Sequence, residues 1–231
     1  MSIKQKLKRM PLVGNFVRQI YRTVTGSQKK TEPFPGSEKY WETRYASGGD
    51  SGTGSYSRFA EFKARILNEF VAAHDVRTVI EFGCGDGNQL VLATYPEYLG
   101  IDVSDTIIAV CKKKFSADNS KTFKQIRDYH QETAELAMSL DVIYHLLEDD
   151  VYEQYMRSLF ASATRYVVIY SSDSDKNAGF ENTHVRHRKF TQWIDTNVSD
   201  WKLMAHIPNE YPYKGDYTTG SFADFFMYKR R

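Results

Sequence analysis

Val79-Ile80-Glu81-Phe82-Gly83-Cys84-Gly85-Asp86-Gly87-Asn88 runs a short apolar strand into three glycines at alternate positions. A strand ending in such glycines predicts a tight turn with positive φ, close backbone approach to a ligand and a helix beyond. Fifteen residues after Gly87, a second strand-like run ends at Gly100-Ile101-Asp102. An acid at that tip can accept hydrogen bonds from both hydroxyls of a ribose. A diphosphate-binding loop would read G-x-G-x-x-G, with the phosphates at the helix N-terminus. Here the third glycine comes one position early, and Glu81 and Asp86 surround the loop with negative charge. That suits a ligand with a cationic end.

Outward from this stretch, helices and strands alternate. Strand-like runs cover residues 78–82, 98–101, 122–126, 141–144 and 166–170, and helical stretches cover 88–94, 105–115, 131–139 and 149–161. An earlier helix at 59–74 carries Phe59, Phe62, Ile66 and Phe70 on one face. Such alternation implies right-handed βαβ units. After a helix at 191–197, runs at 201–207 and 221–228 follow with no helix between them, so they must pair antiparallel. The expected fold is α/β: a doubly wound, Rossmann-like, seven-stranded, mostly parallel sheet closed by a C-terminal antiparallel hairpin.

Composition narrows the class. In 231 residues there are two cysteines, Cys84 and Cys111, too few for a secreted disulfide scaffold, and no apolar run approaches a membrane span. The net charge of +2 hides an asymmetry. Eight basic residues and no acid precede Glu32, leaving 23 basic and 29 acidic side chains in the rest. A body of that sign is a poor non-specific nucleic-acid binder, so no specific nucleic-acid partner is expected. The organisation read from the chain is a basic amphipathic appendage at 1–31, a linker, lid and helix at 32–75, and a ligand-binding domain at 76–231. Residues 1–31 lack a small-residue cleavage site, which argues against a signal peptide and for a cytoplasmic protein. Their stripe of Val13, Phe16, Val17, Ile20 and Val24 fits a helix on an anionic membrane, at the inner face, and equally a partner-docking helix or a disordered tail.

The glycine spacing, the acids around it and the antiparallel tail resemble the class I S-adenosylmethionine-dependent methyltransferases. Within them, the pattern from Tyr40-Trp41 to His184-Val185-Arg186-His187 is similar to bacterial enzymes associated with surface-polysaccharide synthesis. The resemblance covers residues 76–230 and is strongest at 79–102 and 140–147. It implies that Gly83, Gly85 and Gly87 approach the methionine part of the cofactor, that Asp102 holds the ribose, and that Asp128 faces the adenine. It also implies that His145, after the fourth strand, stands near the transferred methyl. A histidine of ordinary pKa suits proton transfer from a hydroxyl, though His145 could instead pack against substrate or cap the next helix. Asp141 opens that strand and is read as facing away from the site. Glu148, Asp149 and Asp150 read as the acidic first turn of a helix, and no metal is expected. Neither an Asp/Asn-Pro-Pro-aromatic tetrad nor a Pro-Cys nucleophile is present, which sets aside amino-methylating nucleic-acid enzymes and cytosine C5 chemistry.

Two segments are candidates for choosing the substrate. Residues 40–58, aromatic, basic and glycine-rich, can fold over the cofactor as a lid with Tyr45, Tyr56 or Arg58 near the methionine carboxylate, or serve as a connector. Residues 182–190 bring His184, Arg186 and His187 to the ligand edge, as an anion site or a solvated charge run. Tyr144 and Tyr213 complete the expected acceptor wall. The function read from the sequence is O-methylation of a small molecule, sugar or glycan. The alternatives are a protein or RNA methyltransferase of the same fold and a non-catalytic scaffold.

Overall fold

The computed structural model describes residues 34–180 and 183–231. The basic appendage at 1–31 and Asn182 lie outside the described residues. Seven strands form one sheet: β1 Thr78–Phe82, β2 Glu97–Asp102, β3 Lys121–Gln125, β4 Ala134–Leu140, β5 Ala163–Ser171, β6 Trp201–Ile207 and β7 Asp224–Arg230. Their order is β3-β2-β1-β4-β5-β7-β6. The first five are parallel, while β7 runs antiparallel to both β5 and β6. The doubly wound sheet with its antiparallel tail is therefore present as expected.

Five helices accompany it among the described residues: α1 Ser37–Ala46, α2 Ser57–Ala73, α3 Asp105–Lys114, α4 Asp149–Ala161 and α5 Phe190–Asn197. Phe62, Leu67 and Phe70 of α2 pack with Ile108 and Cys111 of α3 on one face of the sheet. Met156 and Leu159 of α4 pack with Phe190 and Ile194 of α5 on the other. Parallel strands buried on both faces need this double cover.

Three local expectations are corrected. The stretch 131–139 is not a helix: residues 134–140 are the fourth strand, which starts seven residues before the expected 141. Ala134, Glu135, Leu136 and Met138 are good helix formers, but the segment lies between β1 and β5 and all but Glu135 is buried, so sheet pairing overrides propensity. The expected helix at 88–94 is only a 3₁₀ turn, Gln89–Leu92. The last strand starts at Asp224, because residues before it form a loop bonded back through Ser221 N–H to the Tyr211 carbonyl.

Strand order reverses between β1 and β4, each with its next neighbour in sequence on the far side. The crevice beyond their carboxyl ends is where this architecture receives a ligand.

Candidate active site

The glycine loop leaves β1 with positive φ at Gly83 and Gly85. A Cβ on Gly83 would stand 2.5 Å from Val142, and one on Gly85 2.4 Å from the Ser51 hydroxyl. Both positions need glycine for conformation and for room. The 47–56 connector clasps this loop: Ser51 N–H and the Tyr56 hydroxyl donate to Asp86 Oδ2 at 3.1 and 2.6 Å, and Asp86 N–H donates to Ser51 Oγ at 2.9 Å. Burial opposes ionisation of Asp86, but these bonds hold its carboxyl below the usual range.

The loop opens into a cavity of about 710 Å³, lined among others by Glu81, Gly83, Gly85, Asp102 and His145. That is within the size range of small-molecule sites. Asp102, at the tip of β2, accepts from Gly85 N–H and Ser104 N–H, each at 3.0 Å. Each carboxylate oxygen keeps a further lone pair. Burial pushes Asp102 up to about 6 against these two bonds. Glu81 is pushed up to about 7 by burial, opposed by the Tyr98 hydroxyl that donates to it at 2.7 Å. Carboxyls raised in the fold make the empty protein less stable as pH climbs from their unfolded values to about 6 and 7. A cationic ligand in the cavity offsets that loss.

Beyond β4 the chain turns sharply. Asp141 has φ +61, a left-handed conformation that aspartate adopts more readily than most side chains. The turn brings its carboxylate into the cavity lining, correcting the expectation that Asp141 faces away. Lys63 Nζ of α2 donates to Asp141 Oδ2 at 2.6 Å, and the Tyr144 hydroxyl donates to Oδ1 at 2.7 Å. Lys63 is 1% exposed, so this ion pair is buried on the lysine side.

His145 follows on a 3₁₀ turn, Ile143–His145, and reaches the lining. Its Nδ1 lies 2.9 Å from the His184 carbonyl, which can only accept. Nδ1 therefore carries the proton, and Nε2 keeps a lone pair. The ring stacks on His184 at 5.0 Å, His184 stacks on Tyr40 at 4.8 Å, and Trp41 meets His145 edge-on at 5.0 Å. Burial pushes His145 down to about 4, outweighing the bond to the His184 carbonyl. It is a neutral hydrogen-bond acceptor at physiological pH, not the histidine of ordinary pKa expected from the sequence.

The other expected residues divide. Tyr56 reaches the glycine loop through Asp86, and His184 backs His145. Gly87 supports the loop against Phe115, outside the lining. Arg58 turns away to the Thr219 carbonyl and the Tyr211 ring. Asp128 is exposed, while Ile126 beside it lines the cavity. Tyr144 is buried beneath the lining and acts through Asp141. His187 is buried against Ser172, and Tyr213 packs edge-on to Phe222. Arg186 is paired with Asp149. Tyr56, Arg58, Asp128, Tyr144, His184, Arg186, His187 and Tyr213 are thus not among the cavity's lining residues.

Residues not read from the sequence also belong to the site. Lys63 and Gln89 line it, as do Glu42 and Ser37 of α1. Glu42 accepts from the hydroxyls of Ser104 and Thr106, and the Ser37 hydroxyl donates to Glu148 at 2.6 Å, which pins α1 against the cavity. Lys63 had a signal: it falls on the apolar face of the 59–74 helix, one turn from Phe59, where a cation needs a buried partner. Among the described residues, no group of three or more His, Cys, Asp or Glu side chains is placed to hold a metal ion.

No protein-family model matches the sequence, and no curated protein matches it. Solved structures do match the fold. The N-methyltransferase NodS from Bradyrhizobium japonicum WM9, in complex with S-adenosyl-L-homocysteine, aligns at TM-score 0.65 and 14% identity, covering 84% of this chain and 98% of that one. Magnesium protoporphyrin IX methyltransferase from Synechocystis PCC 6803 aligns at 0.60 and 13%, covering 87% and 100%. The methyltransferase domain of a bacterial Hen1 aligns at 0.55 and 18%, covering 72% and 97%. This is the class I methyltransferase fold. In that fold the glycine loop, Asp102 and His145 stand at the carboxyl edge of the sheet, around one cavity.

Proposed function

We propose that the protein is an S-adenosylmethionine-dependent methyltransferase acting on a small acceptor of the sugar or glycan type. The observation that carries this reading is the cavity at the switch point, with Asp102, Asp141 and His145 among its lining residues. The residues fit the cofactor. Asp102 has lone pairs for two ribose hydroxyls, the glycine loop leaves backbone room, and the acids around it suit a sulfonium. The cofactor supplies an activated methyl; the protein's task is to hold the acceptor in line with it and exclude water. A hydroxyl was the acceptor group expected from the sequence. Incubating the protein with methyl-labelled S-adenosylmethionine and fractionated small-molecule extract should label a compound of low molecular mass. Label found only in protein or RNA would reject the small-acceptor reading.

Attachment of residues 1–31 to an anionic membrane remains part of this proposal. Among the described residues no helix is long and apolar enough to cross a membrane. The support is the eight cations preceding Glu32, each contributing about 1 kcal/mol near an anionic surface. The full chain should sediment with anionic vesicles and a chain starting at Glu32 should not. Equal sedimentation of the two rejects it.

A further inference from the structure

The segment 184–188 reads in sequence as a site for an anion, yet the structure occupies its charges internally. Arg186 donates to the Leu147 carbonyl and pairs with Asp149. Arg188 donates to the carbonyls of Leu146 and Leu147 and pairs with Asp149. His187 Nδ1 meets Ser172 Oγ at 2.6 Å, and the His184 ring is held between Tyr40 and His145. These groups already have partners within the protein.

Around the end of β4 the opposite chemistry collects. Asp141 keeps one lone pair on each oxygen after its bonds to Lys63 and Tyr144. Glu148 does the same after accepting from Ser37 N–H and Oγ–H. His145 presents the bare Nε2. Gln89, nine-tenths buried in the lining, donates through Nε2 to the Ala60 carbonyl, and its Oε1 has no partner among the described residues. Six acidic side chains line the cavity, those of Glu38, Glu42, Glu81, Asp102, Asp141 and Glu148, against Lys39 and Lys63, which is paired with Asp141.

We propose that the acceptor is an amine and that the methyl group goes to its nitrogen. This deepens the methyltransferase reading and rests on it, replacing the expected hydroxyl by an amino group. The amine binds as its ammonium ion and reacts as the free base once that proton has passed to solvent. Its lone pair forms the N–C bond as the C–S bond breaks, and that electron pair stays on sulfur as the thioether of S-adenosylhomocysteine. The positive charge passes from sulfonium to nitrogen, and the product leaves as a methylammonium ion. No protein base has to take a proton in the transfer, and an acid-lined cavity suits the charge before and after it. A sugar hydroxyl would instead need a base, for which His145 at about 4 is poorly matched.

The test is ligand-observed NMR on the full chain saturated with S-adenosylhomocysteine, titrated in turn with glucosamine, glucose and glucose 6-phosphate. Glucosamine should bind about tenfold or more tighter than glucose, with glucose 6-phosphate weakest, and added salt should narrow the gap. Glu148→Gln, which still accepts from Ser37, should weaken glucosamine several-fold, on the order of the loss of one charge, without changing S-adenosylhomocysteine affinity. Equal binding of glucosamine and glucose, preference for the phosphate, or no glucosamine binding overturns the amine proposal while leaving the methyltransferase reading intact. Failure of S-adenosylhomocysteine to bind at all overturns the methyltransferase reading itself.

Discussion

Asp102→Ala should weaken S-adenosylhomocysteine binding by about 10²–10⁴-fold, the largest effect expected of any single change in this site. The carboxylate is positioned to accept from two ribose hydroxyls, and hydrogen bonds to a charged group contribute about 1.5–3 kcal/mol each. The variant also leaves Gly85 N–H and Ser104 N–H without their present acceptor, so the glycine loop loses its anchor to β2. Asp102→Asn separates the two effects, because its amide oxygen can serve one N–H while its NH₂ faces the other. Isothermal titration of the three proteins is the measurement. An affinity for Asp102→Ala within threefold of the parent, on the order of 0.6 kcal/mol, would remove Asp102 from the cofactor site.

Turnover is expected to fall about 10²-fold in His145→Ala, with cofactor affinity nearly unchanged, because the acceptor loses the group that orients it toward the methyl. The pH dependence distinguishes orientation from proton transfer. His145 is pushed down to about 4 in the fold from an ordinary 6.5. Above this range Nε2 is bare and able to accept; its protonation removes that lone pair only as pH approaches about 4. The rate measured with saturating acceptor should therefore show no limb belonging to His145 from about pH 5.5 to 8. The linkage runs the same way for stability: a histidine with a depressed value destabilises the fold as pH drops from 6.5 toward about 4. A limb near 6.5 that disappears in His145→Ala would identify a solvated general base and reject the buried geometry.

Gly83, Gly85 and Asp102 were legible because each is set by local covalent facts, whereas His145 was reached through the family resemblance. Gly83 and Gly85 must take positive φ where a strand turns into a ligand loop, and only glycine does so cheaply. Asp102 ends a strand, and strand ends in an alternating α/β pattern fall on one edge. Asp141 was misread for a local reason too. Its strand was placed at 141–144, which puts the residue at the wrong end of β4, whereas the segment that pairs is Ala134–Leu140. Helix-forming side chains in 134–138 concealed a strand that only its neighbours on both sides stabilise.

The sequence by itself determined the doubly wound sheet, its antiparallel close, the ligand loop and the acid that follows it, since periodicity, glycine conformation and strand order act over short stretches of chain. Only the tertiary structure decided the chemistry of the cavity. Charge seen along a sequence says nothing of where it is spent. Arg186 and Arg188 are taken up by Asp149 and by backbone carbonyls, some forty residues away in the chain. Lys63 is matched to Asp141 across 78 residues. His145 loses its ordinary pKa through burial beside His184, 39 residues on. Pairing, burial and orphaned acceptors are properties of side chains brought together in space. Their balance leaves the cations of residues 184–188 outside a cavity lining in which acidic side chains outnumber basic ones.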